Sequence, residues 1–245
     1  MAEHIVSSYD NDLQGLRQRI AEMGGIAEKM LVDSVFALAR HDKPLAQTVI
    51  ASDPRLDVLH REVEENAILT IARRQPLAVD LRETISAIRI AGDVERIGDL
   101  AKNIAKRALA IGDDFQPQKI VVGLQHMNDL VLGQLKDVLD AYAQKDTAKA
   151  LDVWKRDGAI DALYTSLFRE LLTYMMEDPR NISFCTHLLF CAKNIERIGD
   201  HTTNIAETIH YLVNGEPLAA ERPKDDRSNY AMVASTQGKQ SDPAP

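Results

Sequence analysis

Glu95, Asp99 and Asn103 return 101 residues later as Glu196, Asp200 and Asn204, and their surroundings return with them. Glu-Arg-Ile-Gly-Asp at 95–99 recurs at 196–200, Asn-Ile-Ala at 103–105 recurs at 204–206, and eight of the twelve positions 95–106 are identical in 196–207. On a helix, residues four apart share a face. Each copy therefore presents two carboxylates and a carboxamide along one stripe. Two more acidic pairs have the same spacing, Asp53/Asp57 and Asp157/Asp161. Carboxylates gathered at one place repel unless a positive charge sits among them. Hard oxygen ligands of this kind suit Mg²⁺, Mn²⁺, Ca²⁺ or iron, and Asn103 and Asn204 would each add a carbonyl oxygen. These ten residues are the candidate metal ligands, one set per copy. The competing reading is a solvated acidic face with Arg96, Arg197 and Lys102 as counter-ions.

The elements that must position these residues read as helices. Apolar residues at spacings of three and four run through Leu13, Leu16, Ile20, Met23, Ala27, Met30 and Leu31 in a first helix, from Ile5 to about Arg40. Pro44 starts a second helix that ends near Arg74, and Pro76 opens a third that reaches Ile111. A linker at 112–117 follows. A fourth helix spans about Gln118–Ala143, a fifth about Thr147–Glu177, and a sixth about Asn181–Val213, stopped by Asn214-Gly215. The expected fold is all-α: two tandem, sequence-related three-helix bundles at 1–111 and 118–215, with a polar, disordered tail at 216–245.

Hairpin geometry brings the acidic pairs together. In an antiparallel hairpin, positions equally far from the turn lie level. Asp53/Asp57 is centred 21 residues before Pro76, and Glu95/Asp99 21 residues after it. The same holds in the second copy about Asp178 and Pro179. The apolar stripe of the third helix (Ile90, Val94, Ile97, Ala101, Ile104, Ala108, Ile111) is a separate face, roughly 100–160° from the acidic one at ~100° per residue. Its counterpart in the sixth helix is Cys191, Ile195, Ile198, Thr202, Ile205, Ile209 and Leu212. The carboxylates are accordingly not expected to need burial. Gly98 and Gly199, inside helices at equivalent places, point to close approach by a neighbour. His60 shares the face of Asp53 and Asp57 as an auxiliary ligand, His201 points away from Asp200, and Trp154 reads as packing.

Composition excludes several classes. The 245-residue chain has 29 Lys+Arg against 37 Asp+Glu, a net charge of −8, which disfavours nucleic-acid binding. Its longest stretch free of Asp, Glu, Lys and Arg is Asn181–Ala192, twelve residues, where a membrane span needs ~20. No secretory signal opens the sequence, and Cys185 and Cys191 read as reduced core thiols, so a cytosolic protein is expected. Nucleotide-binding glycine loops, nucleophile elbows and His-Glu-x-x-His are absent, and a single Glu-x-x-His, Glu207 to His210, falls short of a di-iron bundle.

With the duplicated Glu-Arg-Ile-Gly-Asp, the stretch Arg74-Gln-Pro-Leu-Ala-Val-Asp-Leu-Arg82 and the stretch Asn194-Ile-Glu-Arg-Ile-Gly-Asp200, the chain resembles the PhoU family over about residues 8–215. The resemblance implies a dimeric, non-catalytic cytoplasmic regulator, peripheral to the inner membrane through its partners. Those partners would be the ATPase subunit of the phosphate ABC transporter and the phosphate-sensing histidine kinase. It would restrain uptake and keep the phosphate regulon repressed when phosphate is plentiful. It also implies iron, zinc, magnesium or manganese on the acidic motifs, here Glu95/Asp99 and Glu196/Asp200. The alternatives are a metal-dependent, hydrolase-like helical enzyme, which would need an open coordination position, and a helical chaperone or scaffold.

Overall fold

The computed structural model describes residues 2–111 and 118–218. Six helices carry the chain: α1 (Ala2–Arg40), α2 (Lys43–Arg74), α3 (Val79–Ala110), α4 (Gln118–Gln144), α5 (Thr147–Glu177) and α6 (Ile182–Asn214). Among the described residues there is no strand. The expected linker 112–117 and residues 219–245 of the expected tail lie outside the described residues.

The duplication extends to the turns. His41 and Lys145, 104 residues apart, both adopt left-handed backbone at φ 54°. The aspartate after each caps the next helix. The Asp42 carboxylate accepts from Leu45 N–H at 2.9 Å, and Asp146 accepts from Ala148 and Lys149 N–H at 2.9 and 3.0 Å. Between α2 and α3 the chain departs from expectation. Gln75 turns left-handed (φ 47°) and caps α2, Ala78 follows at φ 48°, and α3 begins only at Val79. Pro76 disfavours α-helical backbone in the residue before it, so it belongs to the turn rather than to the helix. Asp178 caps a single 3₁₀ turn, Pro179–Asn181, before α6. The tips of these two hairpins expose apolar side chains, Leu77 at 81% and Met176 at 85%. At the end of α6, Gly215 (φ 79°) returns its N–H to Tyr211 as a left-handed C-cap, and Leu218 packs against the core.

α1, α2 and α3 pack together, as do α4, α5 and α6. The halves join through α3 against α6 and α1 against α4, and the buried apolar side chains form one continuous core. α3 and α6 run antiparallel, since Arg89 lies by Tyr211, Asp93 by His201 and Arg107 by His187. The two sequence repeats are therefore related by an approximate internal two-fold. Every residue of the two apolar stripes is buried. Thr202, the one polar member, satisfies its hydroxyl on Gly199 C=O at 2.8 Å and Gln134 Oε1 at 3.1 Å. Burying an Ile or Val is worth ~1.5–3 kcal/mol. The Ile90, Val94, Ile97 and Ile104 stripe therefore far outweighs the ~1 kcal/mol that Gly98 costs the helix.

Candidate functional site

The hairpin register puts the acidic pairs where equal distances from the turns place them. Asp53 of α2 stands level with Asp99 of α3, the two bridged by one side chain. Lys102 Nζ donates to Asp53 Oδ2 at 2.7 Å and to Asp99 Oδ1 at 2.6 Å. Arg96 adds contacts at 3.6 Å to Glu95 and 3.5 Å to Asp99. Burial alone would lower the Lys102 pKa, but the hydrogen bonds and charges of Asp53 and Asp99 outweigh it and hold the ammonium above its ordinary value. Burial pushes the Glu95 carboxyl above its ordinary value. Asp99 adds to this and Arg96 opposes it.

The second copy is built differently. Lys102 corresponds to Thr203, which is buried and turns its hydroxyl to Asp200 C=O at 2.7 Å. Lys193, whose counterpart is Gly92, instead donates to Glu196 Oε1 at 2.8 Å, with its ammonium 4.8 Å over the Tyr164 ring. Glu196 Oε2 is buried with no hydrogen-bond partner. Burial pushes the Glu196 carboxyl up, the Lys193 hydrogen bond opposes this, and Asp200 and Asp161 add to the rise.

The expectation of unburied carboxylates is corrected. Asp157 is 1% exposed, Asp161 4%, Glu196 5% and Asp53 8%. Only Asp57, Glu95, Asp99 and Asp200 are half-buried. Asp53 of α2 and Asp157 and Asp161 of α5 fall on the buried stripes of their own helices, facing the hairpin partner that carries the repeated motif. The glycines let the two helices come close. A Cβ on Gly98 would overlap Leu56 Cδ2, and one on Gly199 would lie 3.2 Å from Ile160 Cδ1 and 3.5 Å from Asp157 Oδ1. Leu56 and Ile160 are themselves 104 residues apart, so the same knob fills the same notch twice.

The asparagines go elsewhere. Asn204 donates to Asp93 Oδ1 at 3.4 Å, across the contact between repeats, and Asn103 lines a groove between α3 and α6. Eight residues at ~100° each accumulate ~80° of drift, enough to carry Asn103 and Asn204 off the face of Glu95 and Glu196. Asp93 also holds His201 Nδ1 at 2.8 Å. His60 Nε2 lies 3.7 Å from Glu64, and Trp154 is buried, its indole N–H donating to Glu207 at 3.0 Å. Cys185 and Cys191 are free and buried. Three positions carry weight that the motif reading had not singled out: Lys193, Asp93 and Glu83. Buried Glu83 takes Arg17 and Lys145 Nζ (2.7 Å), tying α1 and the α4–α5 turn to α3. The Lys193–Glu196 pair was detectable from its i,i+3 spacing, whereas Asp93 and Glu83 find partners only through tertiary packing.

As the side chains stand, no group of three or more His, Cys, Asp or Glu among the described residues converges as a metal site. In the first copy the cation position is taken by Lys102. In the second, Lys193 stands on Glu196 Oε1, and the buried Glu196 Oε2 is left without a hydrogen-bond partner.

A duplicated three-helix unit with these carboxylates invites comparison with known proteins. The PhoU domain model matches the chain twice, at residues 20–108 and 124–209. The chain belongs to the PhoU family. A phosphate-specific transport system accessory protein PhoU homolog of Rhizobium meliloti (strain 1021) is 59% identical over 226 residues, covering 92% of this chain and 95% of that protein. The homolog of Caulobacter vibrioides (strain NA1000 / CB15N) is 53% identical over 226 residues, covering 92% and 98%. The crystal structure of PhoU from Pseudomonas aeruginosa superposes with a TM-score of 0.82 at 39% identity, covering 85% of this chain and all of that one. That of the phosphate transport system regulatory protein PhoU from Streptococcus pneumoniae gives 0.80 at 29% identity, covering 86% of this chain and all of that one. The all-α, six-helix family fold is thus shown. No described helix is long and apolar enough to cross a membrane.

Proposed function

We propose that this PhoU-family chain is a non-catalytic, cytoplasmic regulator of phosphate uptake that restrains the phosphate ABC transporter and keeps the phosphate regulon repressed when phosphate is plentiful. It would contact the transporter's ATPase subunit and the phosphate-sensing histidine kinase, and act as a homodimer. The observation that carries the reading is the match of both repeats to the family, with close relatives named as accessory proteins of phosphate-specific transport. The acidic clusters lie largely buried between paired helices, where they fix the shape of the surface that partners would meet.

The second acidic cluster is the favoured seat for a divalent or transition metal (Mg, Mn, Fe or Zn), held by Glu196, Asp200, Asp157 and Asp161. Its support is the buried, unpartnered Glu196 oxygen. A metal there would neutralise the carboxylates and fix the surface around them. Asp53, Asp57, Glu95 and Asp99 would receive one only by displacing Lys102.

The test is complementation. In a host lacking its own relative, the chain should restore repression of a phosphate-regulon reporter at high phosphate, and pull-down of the full chain should recover the transporter ATPase. A variant with Ala at Glu95, Asp99, Glu196 and Asp200, shown to be helical by circular dichroism, should fail in both. Failure of the unmodified chain to repress overturns the regulatory reading, and normal repression by the folded variant overturns the role of the clusters.

A further inference from the structure

The internal two-fold creates two grooves along the α3–α6 contact, and duplication has left them chemically unlike. One, of about 450 Å³, is lined by Arg89, Asn204, Glu207, Thr208 and Tyr211, with Asp93 bonded to its Asn204. The other, of about 380 Å³, is lined by Asn103, Lys106 and Arg107 from α3 and by His187, Phe190 and Asn194 from α6. At an offset of 101, Glu207 corresponds to Lys106, Thr208 to Arg107 and Asp93 to Asn194. The lining carboxylate Glu207 is thus replaced by an ammonium in the second groove, and Asp93, which stands behind Asn204 in the first, by a carboxamide. On a chain of net charge −8, these lining residues include two permanent cations and no carboxylate.

Their geometry is arranged for an oxyanion. The Arg107 guanidinium lies 4.3 Å over the Phe190 ring, which holds it flat and leaves N–H edges to donate. Its Nη1 is 3.3 Å from His187 Nδ1. A guanidinium can only donate, so His187 accepts at Nδ1 and carries its proton on Nε2, where it becomes a further donor. Asn103, Asn194 and Lys106 supply carboxamide and ammonium N–H groups on either side. Burial and Arg107 both hold the His187 pKa below its ordinary value, in keeping with this neutral tautomer.

We propose that this groove binds a phosphoryl oxyanion, with Arg107 and Lys106 neutralising it and Asn103, Asn194 and His187 donating hydrogen bonds. The source is free phosphate or a phospholipid headgroup, which share this chemistry. The inference stands on the groove's own residues: a chain that binds here yet fails to regulate leaves it intact, and regulation without binding here overturns it alone.

Inorganic phosphate is titrated into the full chain at constant ionic strength by calorimetry, with chloride and sulfate as controls. Flotation with phosphatidylglycerol and phosphatidylcholine vesicles runs in parallel. The variants are K106E, which copies the other groove at an exposed position, and R107Q. Millimolar or tighter binding of phosphate, weakened at least tenfold in each variant, assigns the site to the free anion. Flotation with phosphatidylglycerol alone, lost in both variants, assigns it to the headgroup. No binding in either arm, or binding undiminished in K106E and R107Q, overturns the proposal.

Discussion

Replacing Lys102 by Met keeps the aliphatic stem and removes the ammonium that joins α2 to α3. The consequence can be sized from the structure. Breaking a fully buried ion pair by deleting one partner costs about 3–5 kcal/mol, and an exposed one about 0–1 kcal/mol. Here the side chains are 18% exposed for Lys102, 12% for Asp53 and 29% for Asp99, so the site lies between these limits. An intermediate loss of about 2 kcal/mol follows, mostly from leaving Asp53 uncompensated. For a chain of this size that is a fall in Tm of about 4–8 °C. The pH dependence has a definite sign. The folded Lys102 pKa is raised above the ordinary 10.5. Its contribution is therefore present throughout the neutral range and is lost only as pH climbs through the folded value. Thermal melts of wild type and K102M by circular dichroism should show a constant gap from mildly acidic to mildly alkaline pH, closing above the lysine range. Mn²⁺ should narrow the gap, because a cation can then enter among Asp53, Asp99 and Glu95. A Tm within about 1 °C of wild type at neutral pH would refute the reasoning, since Lys102 would then be an ordinary surface lysine.

Other substitutions probe the rest of the site. Glu196→Gln should be at least as stable as wild type at pH 7, because the raised folded pKa makes ionisation of Glu196 a liability that grows as pH rises above the ordinary 4.5. The difference should vanish below that pH, and E196Q should lose any stoichiometric manganese measured by elemental analysis. Gly98→Ala should lower stability by ~1–3 kcal/mol through collision with well-packed Leu56. Gly199→Ala, facing only the Ile160 terminus at 3.2 Å, should lower it less, and chemical denaturation of both proteins measures the order. Both thiols should resist a thiol reagent in the native state and react on unfolding. Both are buried, and burial holds Cys191 up at about 12, leaving no thiolate at neutral pH.

Much of this architecture is legible before any coordinates. The apolar stripes of α3 and α6 follow the helical period, and both are buried along their whole length. Counting outward from Pro76 and Asp178 places the acidic pairs level, as the Lys102 bridge from Asp99 to Asp53 demonstrates in the first copy. What a helical wheel omits is the identity of the neighbour on each remaining face. Asp157 and Asp161 fall in step with the buried Val153, Ile160 and Tyr164 of their own helix, and α6 covers them, with Gly199 letting it approach. The asparagines share a nominal stripe with the carboxylates, but accumulated drift delivers them to the contact between repeats. Arg107 and His187 lie 80 residues apart in the chain, and only the antiparallel run of α3 and α6 makes them one groove.

That antiparallel run also sets a distance. The α2–α3 tip lies beside the end of α6, where Arg82 meets Gly215, while the α5–α6 tip lies beside the end of α3. The bare apolar tips of Leu77 and Met176 are thus at opposite poles, separated by roughly the length of α3, about 48 Å for 32 residues. The molecule thus has a fixed gauge along its helices and two related but unequal heads. A protein grasping one head leaves the other free at that distance, so a single copy can span two bodies but cannot present both heads to one small surface.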